Sequence, residues 1–213
     1  PARPAPRLPA INIATTPTAY HMPPAKPRYV VRATELESRG IHGTAFTLTA
    51  PWGRRRMLNG TPGRHLVPHA LAAAIVAEHF AVPLDDVAAA LEQGSRAEHR
   101  MAVGEATSGA TVVADSYNAS PVSVAAALDF LAETPVHVGR RRLAVLGDML
   151  ELGPDEERLH REIGARAAQL LDGLVAVGER GRWIAEAARD AGLTTVAQAA
   201  TADEAHEAVD RVL

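Results

Sequence analysis

The spacing of apolar residues along the chain changes character twice. Residues 1–27 hold eight of the fifteen prolines, a composition that predicts an extended linker or loosely attached arm contributing little core. The next runs, RYVVRATELE, TAFTLTAP and RRRMLNG, are short, β-favouring and punctuated by Gly, Pro and Trp-Gly turn signals. They predict a small, mainly antiparallel sheet, read as a fragment of a larger one. GRHLVPHALAAAIVAEHF then predicts an Ala-rich helix beginning after Gly63, and VPLDDVAAALEQG a second helix from Pro83 or Leu84 to about Glu92. From about Arg100 the rhythm becomes apolar run, turn, periodic helix, repeated: ATVVAD then PVSVAAALDFLAE, RRLAVLGD then PDEERLHREIGARAAQLL, GLVAVG then RGRWIAEAARDAG, TTVAQ then ADEAHEAVDRVL. Such alternation predicts an α/β, Rossmann-like domain with a parallel sheet covered on both sides. Three segments follow from this: 1–27, 28–98 and 99–213.

Composition narrows the classes. With 213 residues, nearly half of them apolar, the chain is long enough for one large core or two small ones. A net charge of -3, with Arg scattered among Asp and Glu, leaves no basic face for nucleic acid. The absence of cysteine removes disulfides, thiol nucleophiles and thiolate metal sites, and fits a reducing cytoplasm. No apolar run approaches the roughly 18 residues of a membrane span, and the first residues lack the order of a signal peptide.

Candidate chemistry gathers where VVADSYNASP meets the helix starting at Pro121. In a doubly wound sheet ligands bind outside the carboxyl ends of strands, where Asp115, Tyr117 and Asn118 are predicted to lie. Ser120 is a good N-cap and Pro121 suits the first helical position, so the following N–H groups are available to an anion. Asp115 at that edge suits ribose hydroxyls, and Tyr117 and Asn118 supply a flat face and an amide. The competing structural reading is an Asx-type turn in which Asp and Asn satisfy only the chain. Asp148, after Gly147, is expected on the same rim, where two carboxylates could position an amine or a magnesium-bound phosphate.

Other features read as structure. Asp155 to Glu157 are acids placed for a helix dipole. No G-x-G-x-x-G follows a strand, which disfavours a dehydrogenase, and GERG at Gly178 to Gly181 reads as a turn. His65 and His69 are four apart, but Pro68 in the first turn puts His65 before the helix, against a metal pair. His160 and His206 sit among charges and read as surface. Ser116, Ser120 and Ser123 lack the G-x-S-x-G elbow of a hydrolase. No catalytic or metal-binding residue is assigned.

DSYNASP, LAVLGDMLELG with His160 seven residues beyond Gly153, and GRHLVPHALAAA resemble the Mur ligases of peptidoglycan synthesis, closest to the branch that adds D-alanyl-D-alanine. The resemblance runs from roughly Arg28 onward. It implies the C-terminal portion of a three-domain enzyme in which ATP, with Mg2+, activates the carboxylate of a UDP-MurNAc-peptide as an acyl phosphate, and the amine of D-alanyl-D-alanine displaces phosphate. Residue by residue, it places Arg100 near the nucleotide, Asp115 on the ATP ribose and His65 near adenine. Tyr117, Asn118 and Ser123 would face the incoming dipeptide; the substrate role expected of Asp148 comes from its strand-end position, not from the resemblance. Residues 28–98 would be part of the central ATPase domain, and 99–213 the Rossmann-like C-terminal domain.

The departures are specific. Where the family has two Asn near adenine, this chain has Leu66 and His69. No G-x-x-x-x-G-K-[ST] loop occurs, and the single lysine, Lys26, sits among prolines. The lysine that the family carbamylates has no counterpart, and both ends look cut relative to the family. Two readings follow: part of an ATP-dependent ligase, not competent alone and expected to have an N-terminal half elsewhere; or a non-catalytic Mur-like module that binds nucleotide or peptide, or docks on a partner.

Overall fold

The computed structural model of the protein describes residues 12–14, 30–95 and 97–212. The chain divides into two compact units, Pro1–Arg96 and Ala97–Leu213. Most of the proline-rich stretch lies outside the described residues. Within it, β1 (Asn12–Ala14) pairs in parallel with the start of β2 (Val30–Ser38), an element that the proline content had hidden.

In the first unit β2, β3 (Thr44–Ala50) and β4 (Gly53–Asn59) form the expected antiparallel sheet. One face is apolar: Val31 and Ala33 lie beside Phe46, Leu48 and Met57, all buried. The helix α1 (Val67–His79) covers this face with Val67, Ala70, Leu71, Ala74 and Ile75, the i, i+3, i+4, i+7, i+8 stripe of an amphipathic helix. Pro68 sits in its first turn, and α2 (Leu84–Glu92) adds Val87 and Ala88. The other face is polar, and a register shift in β2 between Thr34 and Glu37 bends it locally.

The second unit departs from the expected four-strand series. The ATVVAD run forms β6 (Thr111–Ala114), but its hydrogen-bonded partner is β5 (Ala102–Glu105), antiparallel, in a two-stranded sheet of its own. Its place as the opening strand of the parallel sheet is therefore corrected. The parallel sheet is β7 (Leu143–Leu146), β8 (Gly173–Val177) and β9 (Val196–Ala199), in that order. The helices α3 (Pro121–Glu133), α4 (Glu156–Leu170), α5 (Gly181–Asp190) and α6 (Ala202–Val212) alternate with the strands.

Both faces of β8 are buried, which is why its sequence is a continuous apolar run rather than an alternating one. Leu174 and Ala176 pack with Leu128, Ile163, Ala167, Ile184 and Ala188 of α3, α4 and α5. Val175 and Val177 pack on the opposite side with Ala205, Ala208 and Val212 of α6. Among the described residues, no helix is long and apolar enough to cross a membrane.

Candidate functional site

The segment 99–101 folds back onto the end of β6 and binds it through four contacts. The Met101 N–H donates to Asp115 Oδ1 at 3.2 Å, and the Tyr117 N–H donates to the His99 carbonyl at 3.1 Å. The His99 ring Nδ1 lies 3.2 Å from Ser116 Oγ, and the Arg100 guanidinium stacks 4.0 Å from the centre of the Tyr117 ring. To make these contacts His99 and Met101 adopt φ of 58° and 50°, a left-handed conformation that costs a non-glycine residue about 1–2 kcal/mol. Strain held in place by several bonds at a strand end is a pointer to function rather than to stability alone.

The chemistry this leaves exposed is specific. Tyr117 is 67% exposed, so one ring face carries Arg100 while the remainder is open. Asp115 spends one carboxylate oxygen on the backbone, and Arg100 forms no ion pair among the described residues. Asn118 Oδ1 accepts from the Ala119 N–H at 2.9 Å, which turns the chain into the helix. Ser120 and Ser123 then form a reciprocal capping box, with the Ser120 N–H on Ser123 Oγ at 3.0 Å and the Ser123 N–H on Ser120 Oγ at 3.3 Å. The hydroxyl of Ser123 is thus committed to starting α3.

Asp148 follows β7, so the two carboxylates expected on one rim terminate different sheets. Asp148 Oδ1 accepts from the N–H groups of Arg180 and Gly181, at 2.9 and 2.8 Å, at the N-terminus of α5. An anion is stabilised there by the helix dipole and the free amides, and in this protein the anion is a side chain of the fold. Gly178 makes room for it: at φ +98°, a Cβ on Gly178 would stand 2.4 Å from Asp148 Oδ1. GERG is accordingly a turn closed by Asp148. Arg180 also donates from Nε to Glu156 at 2.6 Å, and that bond holds its guanidinium above the usual arginine range.

His160 corrects a surface assignment: it is fully buried. Its Nε2 accepts the Met149 N–H at 3.0 Å and its Nδ1 lies 2.6 Å from the Glu156 carbonyl, so the proton sits on Nδ1. Trp183 packs its edge against the ring at 5.7 Å. The sequence held a signal for this, because His160, Ile163, Gly164 and Ala167 form the buried stripe of α4. No pattern in the sequence points to His99, because its role depends on a backbone reversal. His65 lies in the first unit, half-buried in the 3-10 turn Arg64–Leu66 that leads into α1. The structure therefore gathers Arg100, Asp115, Tyr117 and Asn118, places Ser123 and Asp148 in helix starts, and sets His65 in a separate unit.

The unit that carries this cluster is an α/β domain, and the comparisons narrow the class. Residues 99–213 match the family described as Mur ligase, glutamate ligase domain. The chain belongs to the Mur ligases. It is 36% identical over 147 residues to the UDP-N-acetylmuramoyl-tripeptide-D-alanyl-D-alanine ligase of Escherichia coli, covering 68% of this chain and 32% of that one. To the Mycobacterium tuberculosis ligase of the same name it is 41% identical over 138 residues, covering 62% and 27%. The crystal structure of MurF from Acinetobacter baumannii superimposes with a TM-score of 0.71 at 31% identity, covering 85% of this chain and 38% of the other. The chain spans about a third or less of the length of the curated relatives it matches.

Proposed function

We propose that this chain supplies the nucleotide-closing and acceptor-binding part of a Mur ligase that adds D-alanyl-D-alanine to a UDP-MurNAc-peptide in the cytoplasm. Residues 99–213 are the C-terminal domain, and 28–98, with β1 paired to their first strand, a part of the central ATPase domain. The observation that carries the reading is the clasp of residues 99–101 on 115–117, which presents Asp115, Arg100 and Tyr117 together. The names of the relatives, identical at 36% and 41%, support the choice of dipeptide as acceptor.

The residues present fit a nucleotide in part. Asp115 accepts from ribose hydroxyls through its remaining oxygen, and Arg100 offers its guanidinium to an anion from a position fixed by Tyr117. His65 belongs to the other unit, and the amides that the family carries beside it are replaced by Leu66 and His69. Bound ATP supplies the phosphoryl group that activates the carboxylate before the dipeptide amine attacks. The sequence has no phosphate loop, and among the described residues no group of three or more His, Asp or Glu converges to hold Mg2+. On this reading the phosphates need a loop that this sequence lacks, and the chain is not competent alone. On the acceptor side Tyr117 and Asn118 orient the dipeptide, Ser123 acts by fixing the start of α3, and Asp148 by fixing the rim.

Calorimetric titration with Mg-ATP, and separately with D-alanyl-D-alanine, tests this. Asp115→Ala should weaken nucleotide binding by roughly tenfold, the effect of one lost charge-assisted hydrogen bond. Nucleotide binding indifferent to Asp115→Ala sinks the assignment of that residue. Binding of neither ligand favours a docking module without catalysis.

A further inference from the structure

We propose that His99 is a positioning residue: its ring, latched to Ser116, fixes the register in which Arg100 meets Tyr117, so that the guanidinium is in place before an anionic ligand arrives. His99 touches no ligand in this role. What the latch serves rests on the nucleotide reading above, whereas the latch itself is a property of the chain.

Arg100 has little of its own to hold it. Its guanidinium stacks 4.0 Å from the centre of the exposed Tyr117 ring and pairs with no carboxylate among the described residues. A cation on an exposed aromatic face is held weakly, and an arginine side chain has much rotamer freedom to lose. The chain on either side supplies the rest. In β5 and β6, Ala102 stands opposite Ala114 and Glu105 opposite Thr111. Continued past β5, that antiparallel register sets Met101 opposite Asp115 and His99 opposite Tyr117. The Met101 N–H duly donates to Asp115 Oδ1 at 3.2 Å, and the His99 carbonyl accepts from the Tyr117 N–H at 3.1 Å. The clasp is therefore the continuation of the ribbon beyond its regular end.

A two-stranded ribbon is marginal in water and frays first at its ends. A slip of one residue there would turn the side chains of 99–101 to the other face and take Arg100 off Tyr117. The His99 ring is what guards against the slip. Its Nδ1 lies 3.2 Å from Ser116 Oγ, and the ring makes no other hydrogen bond among the described residues. Residues 99 and 100 are consecutive, as are 116 and 117, so a tie from 99 to 116 sets the partner that 100 meets. This tie also differs from the others in kind. The Met101 and Tyr117 contacts use backbone groups, and Asp115 is a ligand candidate, whereas His99 and Ser116 are joined by side chains alone. Both are exposed, so the bond adds local order at the ribbon end and little to the core.

Side-chain NMR of the full 213-residue chain, before and after addition of Mg-ATP, tests the latch. Stacking on Tyr117 shifts the Arg100 side-chain resonances by ring current, a signature that a change in overall stability alone would not move. His99→Gly removes the ring while accepting the positive φ, and Ser116→Ala removes its partner while leaving residue 99 untouched. Each should return the Arg100 signals towards those of a free arginine and weaken Mg-ATP binding about tenfold, and the double variant should lose no more than either alone. His99→Asn tolerates the left-handed conformation and carries polar atoms at the branch where Nδ1 sits, so it should keep both the shifts and the binding. Arg100 shifts retained in His99→Gly and in Ser116→Ala overturn the latch. Shifts lost with Mg-ATP binding unchanged overturn the positioning role. Shifts lost from a chain that binds no Mg-ATP in its native sequence uphold the latch and overturn the nucleotide reading instead.

Discussion

His160 owes its position to hydrogen bonding rather than to apolar character. One nitrogen receives the Met149 amide and the other meets the Glu156 carbonyl, so α4 is tied to the loop that carries Asp148. His160→Ala leaves the buried Met149 N–H without a partner and opens a void, at a cost of about 2–4 kcal/mol. Urea unfolding should register that loss, and a change under about 0.5 kcal/mol would contradict the tie. Asp148 invites a sharper comparison. As the cap of α5 it should cost about 1–2 kcal/mol when changed to Ala, and distinctly less when changed to Asn, which keeps the accepting oxygen. A role in ligand binding alone would leave stability unchanged in both variants.

At the scale of elements, α4 and α5 approach at Gly164, where a Cβ would stand 2.2 Å from the Ile184 carbonyl oxygen. Gly164→Ala gains about 1 kcal/mol of helix propensity but forces two backbones apart. Overpacking of about 1–3 kcal/mol should dominate, and thermal melting should show a lower Tm. The polar face of the first sheet makes a pH prediction. Thr47 donates to Glu35 at 2.5 Å, and this bond, against the opposing effect of burial and with help from Arg54 and Arg56, holds the Glu35 carboxyl below the usual carboxylate range. A depressed folded-state value means that its contribution is present above the unfolded value and lost as pH falls through the folded one. Glu35→Gln should therefore flatten the acid limb of the unfolding profile, and an unchanged limb would remove Glu35 from that role. The elements themselves differ in legibility. The strands β7, β8 and β9 were readable because two-sided burial writes apolar runs between periodic helices. The pairing of β6 was not, because TVVA looks the same whether its partner is parallel or antiparallel, and that partner, AVGE, is a short strand weakened by Gly104. The 115–118 turn was legible as a strand end, while the reversal at His99 and Met101 was not, since neither residue type announces a positive φ.

Over the whole molecule, the two units keep separate cores, which makes their stabilities separable quantities. Leu71 anchors the first, among Val31, Phe46 and Leu48. Ile184 anchors the second, among Leu174, Ile163 and Ala188. Both are almost wholly buried, and truncation to Ala should cost about 2–5 kcal/mol in either place. Residues that share no partner or cavity contribute additively, so each loss should stay within its own unit. Hydrogen exchange followed by mass spectrometry reads this directly, because protection reports local as well as global opening. Leu71→Ala should reduce protection across residues 30–95 and leave β8 unchanged, and Ile184→Ala should do the reverse. Loss of protection in both units from either substitution would mean that they unfold as one, so that the strand-end sites of residues 97–213 could not form without the first unit folded.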